Sequence, residues 1–225
     1  MFSRRTPAWK RALDVTGALV GLILLSPLFL LLAVLIKTVS PGPAFFRQER
    51  IGYGGRPFTL WKFRTMHISS DPMVHQRHVH DLIDNDKTLT KLDTVRDPRI
   101  IPFGDLLRQS CLDELPQLIN VLSGDMSLVG PRPVPPYESD QYLPWHRHRF
   151  DVPPGLTGLW QVSGKNRTTF REMMRLDIGY SRKVSLRQDG MIVLKTLPVI
   201  CAQLSGLVTG RKMQDRGHTE ASSRN

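Results

Sequence analysis

The sequence predicts a mainly α-helical protein of the α+β class, with one small β-hairpin, an N-terminal membrane helix and a globular domain. Three patterns predict it: 22 consecutive uncharged residues near the N-terminus, strand-like segments around a glycine turn, and later segments with helical spacing of apolar residues. We expect the membrane helix in residues 1–40, a cytoplasmic domain in residues 41–210 and a disordered polar tail in residues 211–225.

Composition narrows the class of protein. The chain has 225 residues and a formal charge of +11, which predicts a polyanionic partner such as nucleic acid, anionic lipid or a phosphorylated substrate. A hydrophobic content of 40% and a mean hydropathy of −0.21 exclude a membrane protein with several spans. The only two cysteines, Cys111 and Cys201, exclude a disulfide-stapled secreted domain and a four-cysteine zinc site, and they favour a reduced, cytoplasmic setting.

The uncharged run covers residues 15–36. As a helix it would measure about 33 Å, close to the thickness of the bilayer hydrocarbon. Ser26 and Pro27 lie in its middle and predict a break or kink, and a sharp kink would return the chain to the face it entered from. Lys and Arg on both flanks favour the cytoplasm for both ends. A single-pass helix with a mild kink is the alternative.

The globular domain should begin after residues 40–43, a Ser-Pro-Gly-Pro cluster that ends the membrane helix. Residues 58–63 predict one strand of a hairpin with its turn at residues 53–55. The polar segment 67–99 is interpreted as an insertion of loop or short helix, without an assigned role. Helices are predicted at 112–122, 169–181 and 191–207, the last interrupted by Pro198. That last helix could lie in the membrane interface or in the core.

The adjacent carboxylates Asp113 and Glu114 precede Pro116. A proline fits a helix only in its first turn, so both carboxylates should lie at a helix N-terminus. The free N–H groups and positive dipole end of such a turn attract phosphate. Two carboxylates beside it could hold Mg²⁺ or supply a nucleophile. Ordinary capping of the helix is the alternative.

Four basic residues strengthen the phosphate interpretation: Lys62, Arg64, Arg108 and Arg132. Arginine offers a planar fork to phosphate oxygens and lysine a compact charge. Each one alone is more typical of a solvated surface, so the prediction depends on their occurring together.

Seven strings then occur in order along most of the chain: KRALD (10–14), the membrane run with Ser26-Pro27, FFRQERIG (45–52), FTLWKFRTM (58–66), DPRI (97–100), CLDELPQLINVLSGDMSLVGPRP (111–133) and PGLTGLWQVSGKNR (154–167). Together they resemble the bacterial sugar transferases called monotopic phosphoglycosyl transferases. The string at 111–133 is highly specific.

This resemblance implies transfer of a sugar-1-phosphate from a UDP-sugar to a polyprenol phosphate such as undecaprenyl phosphate, with release of UMP. It implies that Asp113 attacks the donor β-phosphorus and that Glu114 helps to bind Mg²⁺. Positions 62, 108 and 132 match the family's phosphate contacts. Ser26-Pro27 matches the break that makes the family's membrane helix re-entrant, with both ends at the cytoplasmic face of the inner membrane.

Other positions in the matching strings are less specific. Gln161, Asn166 and Arg167 are candidates for nucleotide or sugar contacts, although a structural turn explains this glycine-rich stretch equally well. Cys111 stands where the family usually has serine, and we interpret it as a conservative change in a small side chain. Asp177 and Tyr180 match a family pattern, but one helical turn apart they could simply dock their helix.

Alternative functions are a membrane-anchored binding protein for nucleic acid or acidic lipid, and a phosphohydrolase that uses the same dyad. Scattered basic residues and the lack of a recognised nucleic-acid motif argue against nucleic acid as a partner. Two histidine pairs, at residues 78 and 80 and at residues 146 and 148, lack the companion ligands of a metal site. The sequence does not predict which sugar is transferred, which glycan is made, or the oligomeric state.

Overall fold

The computed structural model describes residues 6–67, 73–86, 99–164 and 168–208. The structure is mainly helical with two small sheets, which confirms the predicted balance of elements. The elements are α1 (Ala8–Val39), β1 (Phe45–Ile51), β2 (Pro57–Phe63), α2 (Met73–Asp84), α3 (Gly104–Gln109), α4 (Gln117–Ser123), β3 (Ser127–Val129), α5 (Pro136–Ser139), β4 (Gly155–Thr157), α6 (Leu159–Val162), α7 (Phe170–Arg182) and α8 (Leu186–Val208). The predicted tail, Asn166 and Arg167 lie outside the described residues, as does much of the 67–99 segment.

The predicted hairpin is confirmed. Strands β1 and β2 pair in antiparallel fashion, with Arg47 opposite Trp61 and Arg50 opposite Phe58. The turn at residues 53–55 is a single 3₁₀ turn in which Gly54 and Gly55 have φ angles of 66° and 75°. This left-handed region favours glycine, so the turn glycines set the hairpin connection.

Helix α1 is one continuous element of 32 residues that includes Pro27. Its most apolar 18-residue window has a mean hydropathy of 3.0, and 11% of that window is buried, so the helix is long and apolar enough to cross a membrane. The break expected at Ser26 and Pro27 does not divide it. Pro27 has no N–H for the carbonyl of Ile23, four residues back, but the Ser26 hydroxyl donates to that carbonyl at 2.8 Å. This substitute hydrogen bond explains how the helix continues.

One stripe of α1 packs along the globular part, and the opposite face is exposed and apolar. Near its N-terminal end, Ala18 packs with residues of β2, α4 and the segment before β3. Near its C-terminal end, Leu32 and Ile36 pack with Phe63 of β2 and residues in and just before α3. Leu24 and Leu30, on the free face, are 72% and 68% exposed. Both ends of α1 therefore rest on the same globular body.

The first turns of α1 hold this body through buried polar contacts. The Lys10 ammonium donates to the Asp189 carboxylate of α8 at 2.6 Å and to the Val129 carbonyl at 2.9 Å. The Asp14 carboxylate accepts hydrogen bonds from the Ser127 hydroxyl and the Leu128 N–H. These contacts fix β3, which leads directly into the segment carrying Arg132.

A close backbone crossing joins the segment after β3 to β4. Strands β3 and β4 pair in parallel. A Cβ atom on Gly155 would lie 2.0 Å from the Gly130 nitrogen, and one on Gly130 would lie 2.4 Å from the Pro153 carbonyl oxygen. Glycine is required at both positions because no side chain fits between these backbones.

The predicted helix at 112–122 is wrong in its first half. Cys111 has a left-handed φ of 59°, residues 112–114 form a single 3₁₀ turn, and the α-helix starts at Gln117. Pro116 lacks the N–H that a continuous helix from residue 112 would need. The predicted helix at 169–181 is confirmed as α7, with a capping box between Thr169 and Glu172. The predicted helix at 191–207 starts earlier, as α8, and continues through Pro198.

Candidate active site

A pocket opens between the hairpin, the 3₁₀ turn at residues 112–114, the segment after β3, and α6. Apolar and glycine residues form part of its wall. Its charged and amide side chains are Arg50, Lys62, Glu114, Gln117, Arg132 and Gln161. The structure thus brings together four of the predicted site residues, from positions 62, 114, 132 and 161, in one polar pocket.

The two adjacent carboxylates meet a lysine of the hairpin. Lys62 on β2 places its ammonium 2.8 Å from Glu114 Oε1 and 3.8 Å from Asp113 Oδ2. Asp113 lies beside the pocket wall and is 7% exposed. The left-handed conformation of Cys111 starts the turn that presents both carboxylates to Lys62. Pairing with a lysine 52 residues away favours a site over simple capping of α4.

Two arginines line the pocket without an ion pair to any carboxylate of the described residues. Arg132 follows β3 in the Gly130-Pro131-Arg132-Pro133 turn. Arg50 on β1 is 9% exposed; one terminal nitrogen donates to the Gln48 side chain at 2.6 Å, and its Nε has no hydrogen-bond partner. Buried charges are normally paired, and Arg132 is half-buried beside the buried Arg50, so the two guanidinium groups favour an anion in the pocket.

Burial and the charge of Arg132 lower the pKa of Arg50 to about 10. Arg50 therefore remains a cation at neutral pH, but its charge is held in an unfavourable place. An anion bound between the two guanidinium groups would relieve both the burial and the mutual repulsion. Phosphate fits this need because an arginine fork matches two of its oxygens.

Gln161 and Gln117 add amide groups to the pocket. Gln161 lies on α6, its Nε2 donates to the Leu156 carbonyl at 3.4 Å, and its Oε1 is buried without a hydrogen-bond partner. Gln117 lies at the start of α4 and is 3% exposed. The Gln161 side chain thus leaves one buried acceptor unsatisfied at the pocket wall.

The remaining predicted site residues lie elsewhere. Arg64 is buried, and its guanidinium donates to the carbonyls of Ser40 and Pro41 at 2.7 and 2.6 Å, so it holds the chain just after α1 instead of reaching the pocket. Arg108 lies in the last turn of α3 and is not part of the pocket wall.

Sequence reasoning missed Arg50 as a site residue and counted it only as a positive flank of the membrane run. A signal was present in the hairpin pattern, because Arg50 and Lys62 lie on adjacent antiparallel strands of one short ribbon. The burial of Arg50 could not be inferred from that pattern, since it depends on α5 and the segment containing Arg132.

The pocket residues fit a hard divalent cation only in part. Asp113 and Glu114 supply carboxylate oxygens, the donor type that Mg²⁺ prefers. No group of three or more His, Cys, Asp or Glu side chains clusters within the described residues. A magnesium ion held here would therefore complete its coordination with water and substrate phosphate oxygens, as it commonly does.

The model of the family described as bacterial sugar transferase matches residues 5–203. The chain is 41% identical over 194 residues to the exopolysaccharide production protein ExoY of Rhizobium meliloti (strain 1021), covering 85% of each chain. It is 45% identical over 198 residues to the UDP-glucose:undecaprenyl-phosphate glucose-1-phosphate transferase of Caulobacter vibrioides, covering 84% of this chain and 68% of that protein.

A third relative, the undecaprenyl-phosphate galactose phosphotransferase of Salmonella typhimurium, is 37% identical over 191 residues, which are 85% of this chain and 40% of that protein. The names of these relatives include both glucose and galactose, so similarity at this level does not select one sugar.

Proposed function

Because the chain belongs to the bacterial sugar transferase family, we propose that it transfers a sugar-1-phosphate from a UDP-sugar to a polyprenol phosphate and releases UMP. The names of the Caulobacter and Salmonella relatives give undecaprenyl phosphate as the lipid and glucose or galactose as the sugar. The product would be the first lipid-linked intermediate of a polysaccharide or glycoconjugate.

One observation carries the proposal: the pocket joins two arginines, neither in an ion pair with a carboxylate of the described residues, to a lysine-bound carboxylate pair. The cations of Arg50, Arg132 and Lys62 match the charge of a donor diphosphate. Asp113 lies within 3.8 Å of the same lysine, so a phosphate drawn to Lys62 comes close to a carboxylate nucleophile. Attack of one anion on another requires such cations to screen the repulsion.

In the first step, an Asp113 carboxylate oxygen forms a bond to the β-phosphorus of the donor. The bond between that phosphorus and the bridging oxygen breaks, and UMP leaves with the bonding electron pair. Asp113 then carries the sugar phosphate as an acyl phosphate. A carboxylate suits this step because it needs no base to activate it near neutral pH.

In the second step, an oxygen of the polyprenol phosphate attacks the same phosphorus and the bond to Asp113 breaks. The Asp113 carboxylate is restored and the lipid diphosphate sugar is released. Arg50 and Arg132 would hold the phosphate charge in both steps. One pocket can therefore serve a soluble donor and a lipid acceptor in turn, which predicts ping-pong kinetics.

Glu114, together with Asp113, would hold Mg²⁺ in this scheme. The ion would supply further screening of the diphosphate charge. Lys62 now neutralises Glu114 at 2.8 Å, and we expect it to turn toward the donor phosphate when the pocket is loaded.

The packing of α1 supports a monotopic arrangement at the cytoplasmic face of the inner membrane. Residues near both ends of α1 are buried against one globular body, whereas the free face of the helix is apolar. A helix that spanned the bilayer would carry one end away from that body. Exposed leucines on α8 at positions 194 and 197, together with the net charge of +11, would add contact with an anionic leaflet.

The test is a UMP-release assay on detergent-purified protein with Mg²⁺, undecaprenyl phosphate and a panel that includes UDP-glucose and UDP-galactose. We expect release with at least one donor, and loss of release in Asp113→Asn, which keeps the shape of the side chain but removes the nucleophile. A radiolabelled sugar should remain on wild-type protein when the lipid is omitted.

One control variant and two contrary outcomes complete this assay. Asp125→Asn makes the same change at an exposed carboxylate and should retain wild-type rates. Release of inorganic phosphate from an added polyprenol diphosphate, with no UDP-sugar present, would instead identify a phosphohydrolase. Undiminished UMP release by Asp113→Asn would rule out the covalent step proposed here.

A further inference from the structure

A buried ion pair lies behind the segment that carries Arg132. Arg149, in the 3₁₀ turn at residues 146–151, and Asp177, on α7, are each 1% exposed. One terminal nitrogen of Arg149 donates to the Asp177 carboxylate at 2.6 Å and also to the backbone carbonyl of Arg132 at 3.0 Å. Three segments distant in sequence therefore meet at a single guanidinium group.

Arg149 is held in one orientation by the groups around it. Its other terminal nitrogen donates to the Tyr142 hydroxyl and lies 3.7 Å from the Glu138 carboxylate. The Tyr142 hydroxyl in turn donates to Glu138 at 2.7 Å. A fork fixed at both nitrogens can rotate very little, so the hydrogen bond to the Arg132 carbonyl has a defined direction.

The position of that carbonyl controls where the Arg132 side chain leaves the backbone. The turn is stiff, because Pro131 and Pro133 flank Arg132 and fix their own φ angles. The Pro131 carbonyl accepts a hydrogen bond from the Gly155 N–H at 2.8 Å, which anchors the segment on the β4 side. Arg149 anchors the next carbonyl on the opposite side, and the two contacts together set the direction in which Arg132 enters the pocket.

We infer that Asp177 and Arg149 are positioning residues for Arg132: they hold its carbonyl so that its guanidinium meets the donor diphosphate. This inference rests on the proposed function for the identity of the donor. From the sequence, Asp177 could simply dock α7. The inference gives it a second role, the positioning of Arg132.

The inference predicts which kinetic constant changes. Arg132 holds phosphate charge in the bound donor as well as in the transition state, and loss of such uniform binding raises KM more than it lowers kcat. In Asp177→Asn the charge that orients Arg149 is lost while the shape is kept. We expect the donor KM to rise by about three- to tenfold and kcat to stay within about twofold. Asp177→Glu, which restores the charge, should recover part of this loss.

The matched control is Asp189→Asn, the same change in the other strong buried ion pair of the described residues. Lys10 and Asp189 also lie 2.6 Å apart, but they join α1 to α8 and take no part in the pocket wall. We expect Asp189→Asn to lower the melting temperature at least as much as Asp177→Asn but to raise the donor KM less, because Lys10 contacts the carbonyl of Val129 and not that of Arg132.

The deciding measurement is binding of UDP by calorimetry, which needs no turnover, in wild type, Asp177→Asn, Arg132→Lys and the double variant. If Asp177 acts through Arg132, Asp177→Asn weakens UDP binding alone but adds little in the Arg132→Lys background. Full additivity, or unchanged affinity in Asp177→Asn, would overturn the inference.

This test can be distinguished from a folding failure and from failure of the proposed function. If Asp177→Asn does not fold, Arg149→Lys replaces it, because a lysine cannot bridge Asp177 and the Arg132 carbonyl as a fork does. If wild type binds UDP but transfers no sugar phosphate to lipid, the proposed function fails while the coupling between Asp177 and Arg132 is still measured.

Discussion

At the scale of single residues, Arg50 offers the sharpest test of the pocket. Replacing it with glutamine removes one of the two pocket arginines, neither of which pairs with a carboxylate in the part of the chain that the structure describes. A hydrogen bond to a charged group contributes about 1.5–3 kcal/mol, so we expect kcat/KM for the donor to fall about ten- to hundredfold. The same variant should be no less stable than wild type, because it also removes a buried charge and its repulsion by Arg132.

Arg47→Gln is the matched control for Arg50→Gln. It makes the same change three residues earlier on β1, where the guanidinium is exposed and lies 4.2 Å from the centre of the Trp61 ring. Steady-state kinetics should leave Arg47→Gln near wild type. Equal losses in both variants would mean that net charge, and not the pocket, explains the effect of Arg50.

Cys111 gives a second prediction at this scale. Its left-handed φ of 59° starts the turn that carries Asp113, and the thiol has no part in the proposed chemistry. Cys111→Ser should retain UMP release, whereas Cys111→Val should lose most of it, because a β-branched residue is strained in this conformation. A fall of more than about tenfold in Cys111→Ser would indicate a chemical role for the thiol.

Single residues also show the limit of sequence reasoning at the site. Lys62, Glu114 and Arg132 were predicted because charges of complementary type occur together in short strings that resemble a known family. Arg64 was grouped with Lys62 because the two lie two residues apart, yet β2 ends at Phe63 and the Arg64 guanidinium donates to the carbonyls at the end of α1. Tertiary packing decides where a side chain points beyond the end of a strand.

At the scale of elements, the contact between α1 and the rest of the chain depends on small residues. A Cβ atom on Gly17 would lie 2.6 Å from the Leu128 side chain, and one on Gly21 would lie 3.2 Å from Leu118. Gly17→Leu should therefore push α1 away from β3 and cost about 1–3 kcal/mol of stability. Thermal unfolding in detergent would measure it.

The control for Gly17→Leu lies on the free face of the same helix. Val20 is 48% exposed, so Val20→Leu adds volume without meeting the globular part and should leave the melting temperature within about a degree. Equal destabilisation by the two variants would contradict the close approach of α1 to β3.

Elements with a strong local signal were predicted well, and those defined by distant partners were not. The hairpin carried turn glycines and α7 carried a capping box, and both agree with prediction within a residue or two. The helix at 112–122 failed because apolar spacing did not reveal the left-handed Cys111. The apolar spacing also did not reveal the role of Asn120, which is buried. Its amide oxygen accepts the Trp61 N–H and its amide nitrogen donates to the Thr59 carbonyl, both on β2.

At the scale of the whole molecule, stability should depend on pH through His146. Burial, with Arg149 and Arg171, lowers the pKa of His146 below its ordinary value of 6.5, and its Nδ1 accepts the Leu143 N–H. Below about pH 6.5 the unfolded chain takes up a proton that the folded chain resists, so the free energy of unfolding should fall with pH. Asp177 has the opposite effect on the free energy of unfolding. Burial raises the pKa of its carboxyl to about 6, so the folded chain takes up this proton more readily than the unfolded chain as the pH falls.

One variant isolates the contribution of His146. In His146→Asn the side-chain oxygen can still accept the Leu143 N–H but no longer titrates, so the loss of stability between pH 7.5 and pH 5.5 should be smaller than in wild type. Chemical unfolding at both pH values measures this, and identical slopes in the two proteins would exclude His146 as the cause.

The arrangement of the whole chain in the membrane gives the last prediction. α1 is continuous through Pro27, yet its N-terminal and C-terminal thirds both rest on one globular body. A helix of 32 residues measures about 48 Å, longer than the bilayer hydrocarbon, so a spanning orientation would be long enough but would pull one end from its packing partners. We therefore expect both ends of α1 at the cytoplasmic face.

Cysteine labelling in spheroplasts can decide between these arrangements. Thr6→Cys and Thr38→Cys, each in a Cys111→Ser, Cys201→Ser background, place a thiol at either end of α1. A membrane-impermeant maleimide should label neither protein until the membrane is opened, and then label both. Labelling of one end in intact spheroplasts would establish a spanning helix, and the packing of α1 along the globular body would then have to be abandoned for the membrane-bound protein.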